Sequence, residues 1–122
     1  MLASDFYMTD KRIVLTTAGS EEEAQKIARH LVEGRTAACV NILPHVMSIY
    51  CWKEKVEEAR EWLLVIKTTA AAFDKVRQTI SELHSYEVPE CICLTIDDGS
   101  PNYLQWIAES VAVGESGESL YP

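Results

Sequence analysis

The sequence lacks the short motifs that identify the common catalytic folds. It contains no P-loop, no nucleotide-binding glycine fingerprint, no H-E-x-x-H pair and no G-x-S-x-G elbow. It has 3 histidines, so few side chains could act as a general base near neutral pH. We therefore predict that the protein is not an enzyme, because no nucleophile can be paired with a base.

Positive charge is scarce, and long apolar runs are absent. The chain carries 11 Lys and Arg against 19 Asp and Glu, a formal net charge of -8, and no segment concentrates the basic residues. Binding to phosphate backbones requires concentrated positive charge, so we expect no nucleic-acid partner. No run approaches the ~18 apolar residues of a membrane span, and the start has no signal-peptide core. We therefore expect no membrane partner and a cytoplasmic location.

Cysteine is limited to 4 residues, and no two of them form a C-x-x-C pair. This spacing excludes zinc-ribbon and thioredoxin motifs. Cys39, Cys91 and Cys93 lie in apolar runs, where free cysteine commonly behaves as a small buried side chain, so reduced thiols are expected. Cys91 and Cys93 lie two apart in a strand pattern and share one face. We favour core packing for this pair over a copper(I) site.

The hydrophobic pattern predicts one domain of alternating strands and helices. The composition, 48% hydrophobic over 122 residues, is globular. Strands are predicted at 12–17, 37–42, 47–52, 62–67 and 91–96, and helices between Ser20 and Gly34, at 71–84 and after Ser100. The charged stretch between 52 and 61 indicates the tip of a long hairpin, with a short helix as the alternative. The predicted class is α+β, a ferredoxin-like βαββαβ sandwich with a long β-hairpin and a C-terminal helix.

Local signals support these boundaries. Ser20 and Glu23 match a capping box, in which each side chain satisfies a free amide of the first turn. Gly34 is the expected helix stop, because glycine accepts the left-handed conformation. Pro44 cannot donate to a strand ladder and predicts a bulge or bend. One sheet face and the hairpin edges would stay uncovered, so we predict self-association.

The segment from His84 to Glu90 concentrates an imidazole, carboxylates and a phenol between a helix and a strand. Such loop positions are favoured for binding groups. His84 and Glu90 could bind a divalent metal, since imidazole and carboxylate suit borderline transition metals. The alternative is structural, with His84 stabilising the helix C-terminus and Tyr86 packing on the sheet.

Aromatic side chains crowd the hairpin beside charged ones. Tyr50, Trp52 and Trp62 are the aromatics, and the charged neighbours are Lys55, Glu57, Glu61 and Lys67. Aromatic residues with a polar rim mark subunit interfaces as often as pockets, so we favour an interface, with a pocket between subunits as the second possibility.

Four separated groups of residues, within roughly 12–109, occur in an order typical of one protein family. The first two are Cys39-Val40-Asn41-Ile42 with Pro44, and Ser48, Tyr50 and Trp52 with Lys55, Glu57 and Glu61. The last two are Ile66-Lys67-Thr68, and Tyr86, Glu87, Pro89 and Glu90 with Gly99, Tyr103, Leu104 and Trp106. In these groups the sequence resembles the CutA divalent-cation tolerance proteins. The resemblance implies a ferredoxin-like domain at 12–112, an N-terminal extension at 1–11 and a flexible tail at 113–122. It also implies a homotrimer in which hairpins extend sheets across subunit boundaries.

The resemblance further implies a role in the response to metal ions. No cofactor is expected to be required, and weak binding of Cu²⁺ or another divalent cation is expected at His84 and Glu90. Some family members proposed to hold copper use a cysteine where this chain has Thr16. The interface pocket is expected to contain Tyr50, Trp52, Lys55, Glu57, Glu61, Lys67, Tyr86 and Trp106. The alternative is a signalling module, similar to PII-type regulators, that senses a small anion near Lys55, Lys67 and Trp52.

Overall fold

The computed structural model describes residues 9–112. These residues form strands and helices in the order β1 (Lys11–Ala18), α1 (Glu21–Glu33), β2 (Cys39–Trp52), β3 (Lys55–Thr69), α2 (Phe73–Leu83), β4 (Ile92–Thr95) and α3 (Pro101–Ser110). The strands pair antiparallel in the order β2-β3-β1-β4. The predicted βαββαβ order with a terminal helix is confirmed, and it is the ferredoxin-like arrangement.

The core lies between α1, α2 and one face of the sheet. Alternate residues of β1 face the helices, because successive side chains of a strand point to opposite sides. Val14 and Ala18 are fully buried on this face, beside Leu64 and Ile66 of β3. The helices contribute the apolar stripe of an amphipathic pattern. Its buried members are Ala24, Ile27, Ala28 and Leu31 of α1 and Val76 and Ile80 of α2.

The opposite face of the sheet is apolar and partly exposed. Ile13 lies between Lys67 and Leu94 in the ladder, and Leu15 lies between Val65 and Ile92. The exposed fractions are 47% for Ile92 and 45% for Leu94. This surface, which we call the open sheet face, is the one that sequence analysis predicted to remain uncovered.

The hairpin of β2 and β3 ends in a turn of two residues with left-handed backbone. Lys53 has a φ of 50° and Glu54 a φ of 70°. Two central residues with positive φ define the turn that matches the twist of paired strands, although Asn and Gly usually occupy it. The ladder is irregular between Leu43 and Val46, around Pro44. The predicted hairpin and bulge are therefore confirmed, and the alternative of a short helix is wrong.

Helix α1 ends at Glu33 with Gly34 as its C-cap, as predicted, but two details at its ends need correction. Gly34 has a φ of -81°, and the left-handed residue is Arg35, with a φ of 59°. The Ser20 hydroxyl does accept a hydrogen bond from the amide of Glu23, at 3.1 Å. The Glu23 carboxylate does not return to Ser20, because it accepts from Ser85 on a different loop. Only half of the predicted capping box forms.

The last helix closes the end of the sheet. Ile107 and Val111 pack with Ala38 and Ala72 in a second small cluster, and the Ala112 amide donates to the Arg35 carbonyl at 2.9 Å. At the other end, strand β1 begins at Lys11, one residue before the predicted domain boundary. Residues 1–8 of the predicted extension and the predicted tail at 113–122 lie outside the described residues.

Candidate functional site

His84 ends helix α2, and hydrogen bonds engage both nitrogens of its imidazole. Its side chain is 0% exposed. Nε2 lies 2.6 Å from the Thr17 carbonyl oxygen, and Nδ1 accepts from the Tyr86 amide at 3.0 Å. Since Nδ1 accepts, the network assigns the proton to Nε2, which makes the ring neutral. His84 therefore fastens the loop after α2 to strand β1.

Glu23 of α1 secures the same loop from the other side. Its Oε2 accepts from the Ser85 amide at 2.8 Å. Its Oε1 is buried without a hydrogen-bond partner and lies 3.8 Å from His84 Nδ1. This role of Glu23 was not predicted, because the capping-box pattern accounts for Glu23 locally. The spacing to Ser20 gave no sign of a contact with a loop about sixty residues later in the chain.

Tyr86 links the loop to the hairpin. Its hydroxyl donates to Glu61 Oε2 at 2.7 Å, and only 6% of Glu61 is exposed. Burial and then this hydrogen bond hold the pKa of Tyr86 well above its ordinary value. Burial, followed by repulsion from Glu61, also raises the pKa of Glu90. The carboxylates of Glu61 and Glu90 therefore repel one another where both are partly removed from solvent.

These groups line a cavity between the loop and the hairpin. The cavity has a volume of about 390 Å³, and its walls are Thr17, Ser48, Ile49, Tyr50, Glu61, Tyr86, Val88 and Glu90. A smaller recess of about 250 Å³ adjoins it and is lined by Tyr50, Trp52, Tyr86, Glu87 and Val88. The two adjoining spaces therefore bring together Tyr50, Trp52, Glu61 and Tyr86 from the predicted pocket with Glu90 from the predicted metal pair. We call the larger space the carboxylate cavity.

The other hairpin residues of the predicted pocket line neither the recess nor the carboxylate cavity. Lys55 pairs with Trp52 at the hairpin tip, where Glu57 pairs with Tyr50. Lys67 lies near the other end of β3, roughly 40 Å from Lys55 at about 3.3 Å per strand residue. Its ammonium group contacts the side chain of Asn41. One pocket within a single subunit cannot contain both lysines.

Trp106 belongs to the last element of the described chain, several elements after the hairpin. It lies on α3 and stacks on Tyr103, with ring centroids 5.4 Å apart. The regular apolar spacing of α3 contains no information about which face of the sheet the helix meets. Trp106 does not line the carboxylate cavity or the adjoining recess.

The described residues contain no group of three or more His, Cys, Asp or Glu that could hold a metal ion. A site at His84 and Glu90 therefore stays a prediction, and His84 would have to give up one of its two hydrogen bonds to become a ligand. The expectation for Cys93 was wrong, because this side chain is exposed. Cys91 is partly buried against the core, as expected.

The antiparallel four-stranded sheet and the loop packed on its long hairpin define a ferredoxin-like α+β protein. The family model of the CutA1 divalent ion tolerance protein matches residues 12–110. The chain belongs to this family, as the resemblance indicated.

Individual relatives agree. The divalent-cation tolerance protein CutA of Thermus thermophilus is 48% identical over 100 residues, which cover 82% of this chain and 97% of that protein. Protein CutA of Mus musculus is 42% identical over 105 residues, 85% of this chain and 59% of the mouse protein. The solved structure of the periplasmic divalent cation tolerance protein CutA from Archaeoglobus fulgidus gives a TM-score of 0.81 at 39% identity, covering 83% of this chain and 98% of that chain.

Within residues 9–112, no helix is long and apolar enough to cross a membrane. The Archaeoglobus relative is described as periplasmic, so membership of the family does not determine the compartment of this chain. The cytoplasmic location of this chain stays a prediction.

Proposed function

We propose that this chain is a non-enzymatic, homotrimeric metal-response protein that binds a divalent cation weakly in the carboxylate cavity. The observation that supports it is the approach of Glu61 and Glu90 in one partly buried space. Repulsion between the two carboxylates raises the pKa of Glu90 beyond the effect of burial alone. A divalent cation would neutralise both charges, so its binding is favoured where the free site is destabilised.

The ligand set would be assembled in two steps. Glu61 and Glu90 provide oxygen ligands without any change in the hydrogen bonds of His84. Cu²⁺ also favours imidazole, and Nδ1 of His84 becomes available if the Tyr86 amide releases it. His84 and Glu90 would then act as the predicted pair of ligands, and solvent would complete the coordination of the ion.

Calorimetric titration with Cu²⁺ tests the site. We expect the wild type to bind Cu²⁺ weakly. Glu90→Gln should lower the affinity by roughly 10-fold or more, since substitution of residues that only support metal ligands already lowers metal affinity by about that factor. Glu87→Gln is the matched control, because Glu87 lines the adjoining recess and not the carboxylate cavity. Equal affinities for the wild type and Glu90→Gln would refute the assignment. His84→Gln reports separately whether the imidazole participates.

The trimer is proposed from the open sheet face. Apolar side chains that remain about half exposed on a sheet are stabilised when another surface covers them. We expect light scattering to give three times the 13.7 kDa chain mass. Leu94→Glu should lower that mass, whereas Val32→Glu on helix α1 should not, although the two native residues are similarly exposed, at 45% and 41%. A wild-type mass of one subunit at micromolar concentration would exclude the trimer.

A reducing compartment is consistent with the cysteines. All 4 are unpaired, and Cys51 and Cys93 are exposed. Exposed free thiols persist mainly where the surroundings keep them reduced. This supports the proposed cytoplasmic location.

The alternative of an anion sensor near Lys55, Lys67 and Trp52 has less support. Glu87 lines the recess that contains Trp52, and Glu61 and Glu90 line the adjoining carboxylate cavity, so these carboxylates would repel an anion. The aromatic walls of Tyr50 and Trp52 do suit a small planar ligand. Tryptophan fluorescence that responds to a panel of anionic metabolites would revive this alternative, and an unchanged spectrum would exclude it.

A further inference from the structure

The recess that adjoins the carboxylate cavity is walled by three aromatic rings. Tyr50, Trp52 and Tyr86 line it together with Glu87 and Val88, around a volume of about 250 Å³. Among the described residues, no lysine or arginine lines this space. The faces of aromatic rings carry negative potential, because of the ring quadrupole. The recess therefore combines π faces with a carboxylate, which is an arrangement that attracts cations.

Strand alternation places two of these rings on the same side of the hairpin. Tyr50 and Trp52 are two residues apart in β2, so their side chains point to one face. Tyr50 is 45% exposed and Trp52 is 41% exposed, so both keep a large accessible area. A ligand can therefore contact both rings without any rearrangement of the strand.

The third ring is held in place by contacts within the chain. The Tyr86 hydroxyl donates to Glu61 at 2.7 Å, and the Tyr86 amide donates to Nδ1 of His84 at 3.0 Å. The Tyr86 ring also contacts the imidazole of His84, with ring centroids 4.6 Å apart. These contacts fix one wall before a ligand arrives, and such preorganisation reduces the entropy lost on binding.

Trp52 already attracts a cation of the chain itself. Nζ of Lys53 lies over the indole ring, 5.8 Å from its centroid, within the range of about 6 Å for a cation–π interaction. Lys53 does not line the recess. A cation bound in the recess would thus contact the same ring and would be repelled by the neighbouring ammonium group.

The hydrogen-bonding groups of the recess restrict the kind of cation. A primary ammonium has three N–H donors, and each of them needs an acceptor when water is removed. The Glu87 carboxylate is the charged acceptor of the recess, and the Tyr86 hydroxyl is already bonded to Glu61. A quaternary ammonium has no N–H group, and aromatic cages recognise such ions. The walls therefore favour a fully alkylated nitrogen.

We propose that this recess binds the trimethylammonium head group of an organic cation. The rings of Tyr50, Trp52 and Tyr86 contact its methyl groups, and the Glu87 carboxylate balances its charge. All five walls belong to one chain, so the site does not require the proposed trimer.

The site goes beyond the proposed divalent-cation function and depends on different side chains. Trp52→Leu should leave the calorimetric titration with Cu²⁺ unchanged, because Trp52 does not line the carboxylate cavity. Glu90→Gln should weaken the binding of a quaternary ammonium less than Glu87→Gln does, because Glu90 lines only the adjoining space. The failure of either proposal can therefore be recognised without reference to the other.

The test is a nuclear magnetic resonance titration of the full chain with tetramethylammonium chloride, compared with sodium chloride at equal ionic strength. The methyl resonance should move upfield, because the rings shield protons above their faces. The indole N–H resonance of Trp52 should shift, whereas those of Trp62 and Trp106 should not. Neutral tert-butanol, which has a similar shape, and methylammonium, which has three N–H donors, should both bind more weakly than tetramethylammonium.

Substitutions measure the contribution of each wall. Trp52→Leu should lower the affinity by about 2- to 30-fold, which is the range for the loss of one cation–π contact. Trp106→Leu is the matched control, because Trp106 is similarly exposed, at 43%, and does not line the recess. Glu87→Gln should lower the affinity by up to about 5-fold, and Lys53→Gln should raise it by a similar factor, as expected for exposed charge pairs.

All four variants change half-exposed or exposed side chains, and circular dichroism can verify that they fold. The assignment would be overturned by equal affinity for tert-butanol, by tighter binding of methylammonium, by wild-type affinity in Trp52→Leu, or by weaker binding in Lys53→Gln. Choline and a peptide containing trimethyllysine then distinguish a small molecule from a protein side chain as the source of the head group. Tighter binding of either one supports the site and identifies the source, and binding of neither would contradict it.

Discussion

Thr16 and Thr68 provide a matched pair of substitutions for measuring what an unpaired hydroxyl costs this fold. Both are threonines on the helix side of the sheet, and both are 0% exposed. Thr68 Oγ1 donates to the Thr36 carbonyl at 2.7 Å, whereas Thr16 Oγ1 has no partner. Valine replaces each hydroxyl by a methyl group of similar size. The two substitutions therefore differ chiefly in the hydrogen bond that is lost.

The signs should be opposite. A buried polar group without a partner costs about 1–3 kcal/mol, so we expect Thr16→Val to raise the free energy of unfolding by about 1 kcal/mol. Thr68→Val should lower it by about 1–3 kcal/mol, because a real hydrogen bond disappears and the Thr36 carbonyl loses its donor.

Urea denaturation at neutral pH measures both free energies of unfolding. Subunit concentrations must be equal in all samples, because the stability of an oligomer depends on concentration. If Thr16→Val destabilises the protein as much as Thr68→Val does, then the Thr16 hydroxyl has a partner, and the reasoning about this position fails.

Two further predictions concern the carboxylate cavity. Tyr86→Phe removes the hydroxyl that donates to Glu61 while the ring remains, so urea denaturation should show a loss of about 1.5–3 kcal/mol, the range for hydrogen bonds to charged groups; an unchanged midpoint would contradict it. Glu90→Gln should raise stability at pH 7, because the fold raises the pKa of Glu90 above its ordinary value of 4.5 and so disfavours the carboxylate. Wild-type stability should recover as the pH falls from that raised pKa through the ordinary value, so the advantage of Glu90→Gln should shrink in acid. A gain independent of pH would point to a different cause.

Much of the fold could be predicted because local and long-range signals agree. The alternating pattern of β1 and the apolar stripe of α1 each report the face that is buried. Pro44 reported the bulge, because a residue without an amide proton cannot take part in a regular ladder. These signals depend only on neighbouring residues and the core.

Other features could not be predicted, because more than one partner competes for the same group. Glu23 fits a capping box, but the loop amide of Ser85 takes its carboxylate. Gly34 suits a left-handed position, yet Arg35 adopts it. Cys93 lies in an apolar run, but its strand is at the edge of the sheet and leaves it exposed. In each case the decision depends on tertiary placement, which spacing does not encode.

The candidate site was predicted in part for the same reason. His84 and Glu90 stood out because a loop between rigid elements contained ligand-type side chains. The sequence did not reveal that two backbone groups occupy the imidazole, nor that Glu61 faces Glu90 across the cavity. The role of Glu61, a buried charged residue of β3, becomes visible only when the hairpin packs against the loop that contains Tyr86 and Glu90.

The strand order has a consequence for how the chain assembles itself. β2 and β3 are joined by a two-residue turn, whereas β4 must find β1 from the far end of the chain. Short loops close with a smaller entropy cost than long ones. We therefore expect the β2–β3 hairpin to form early and the pairing of β4 with β1 to form last. During synthesis on the ribosome, β1 can pair with β4 only after the chain has been extended through β4. The β1–β4 pairing should also be the first part of the sheet to open in native hydrogen exchange.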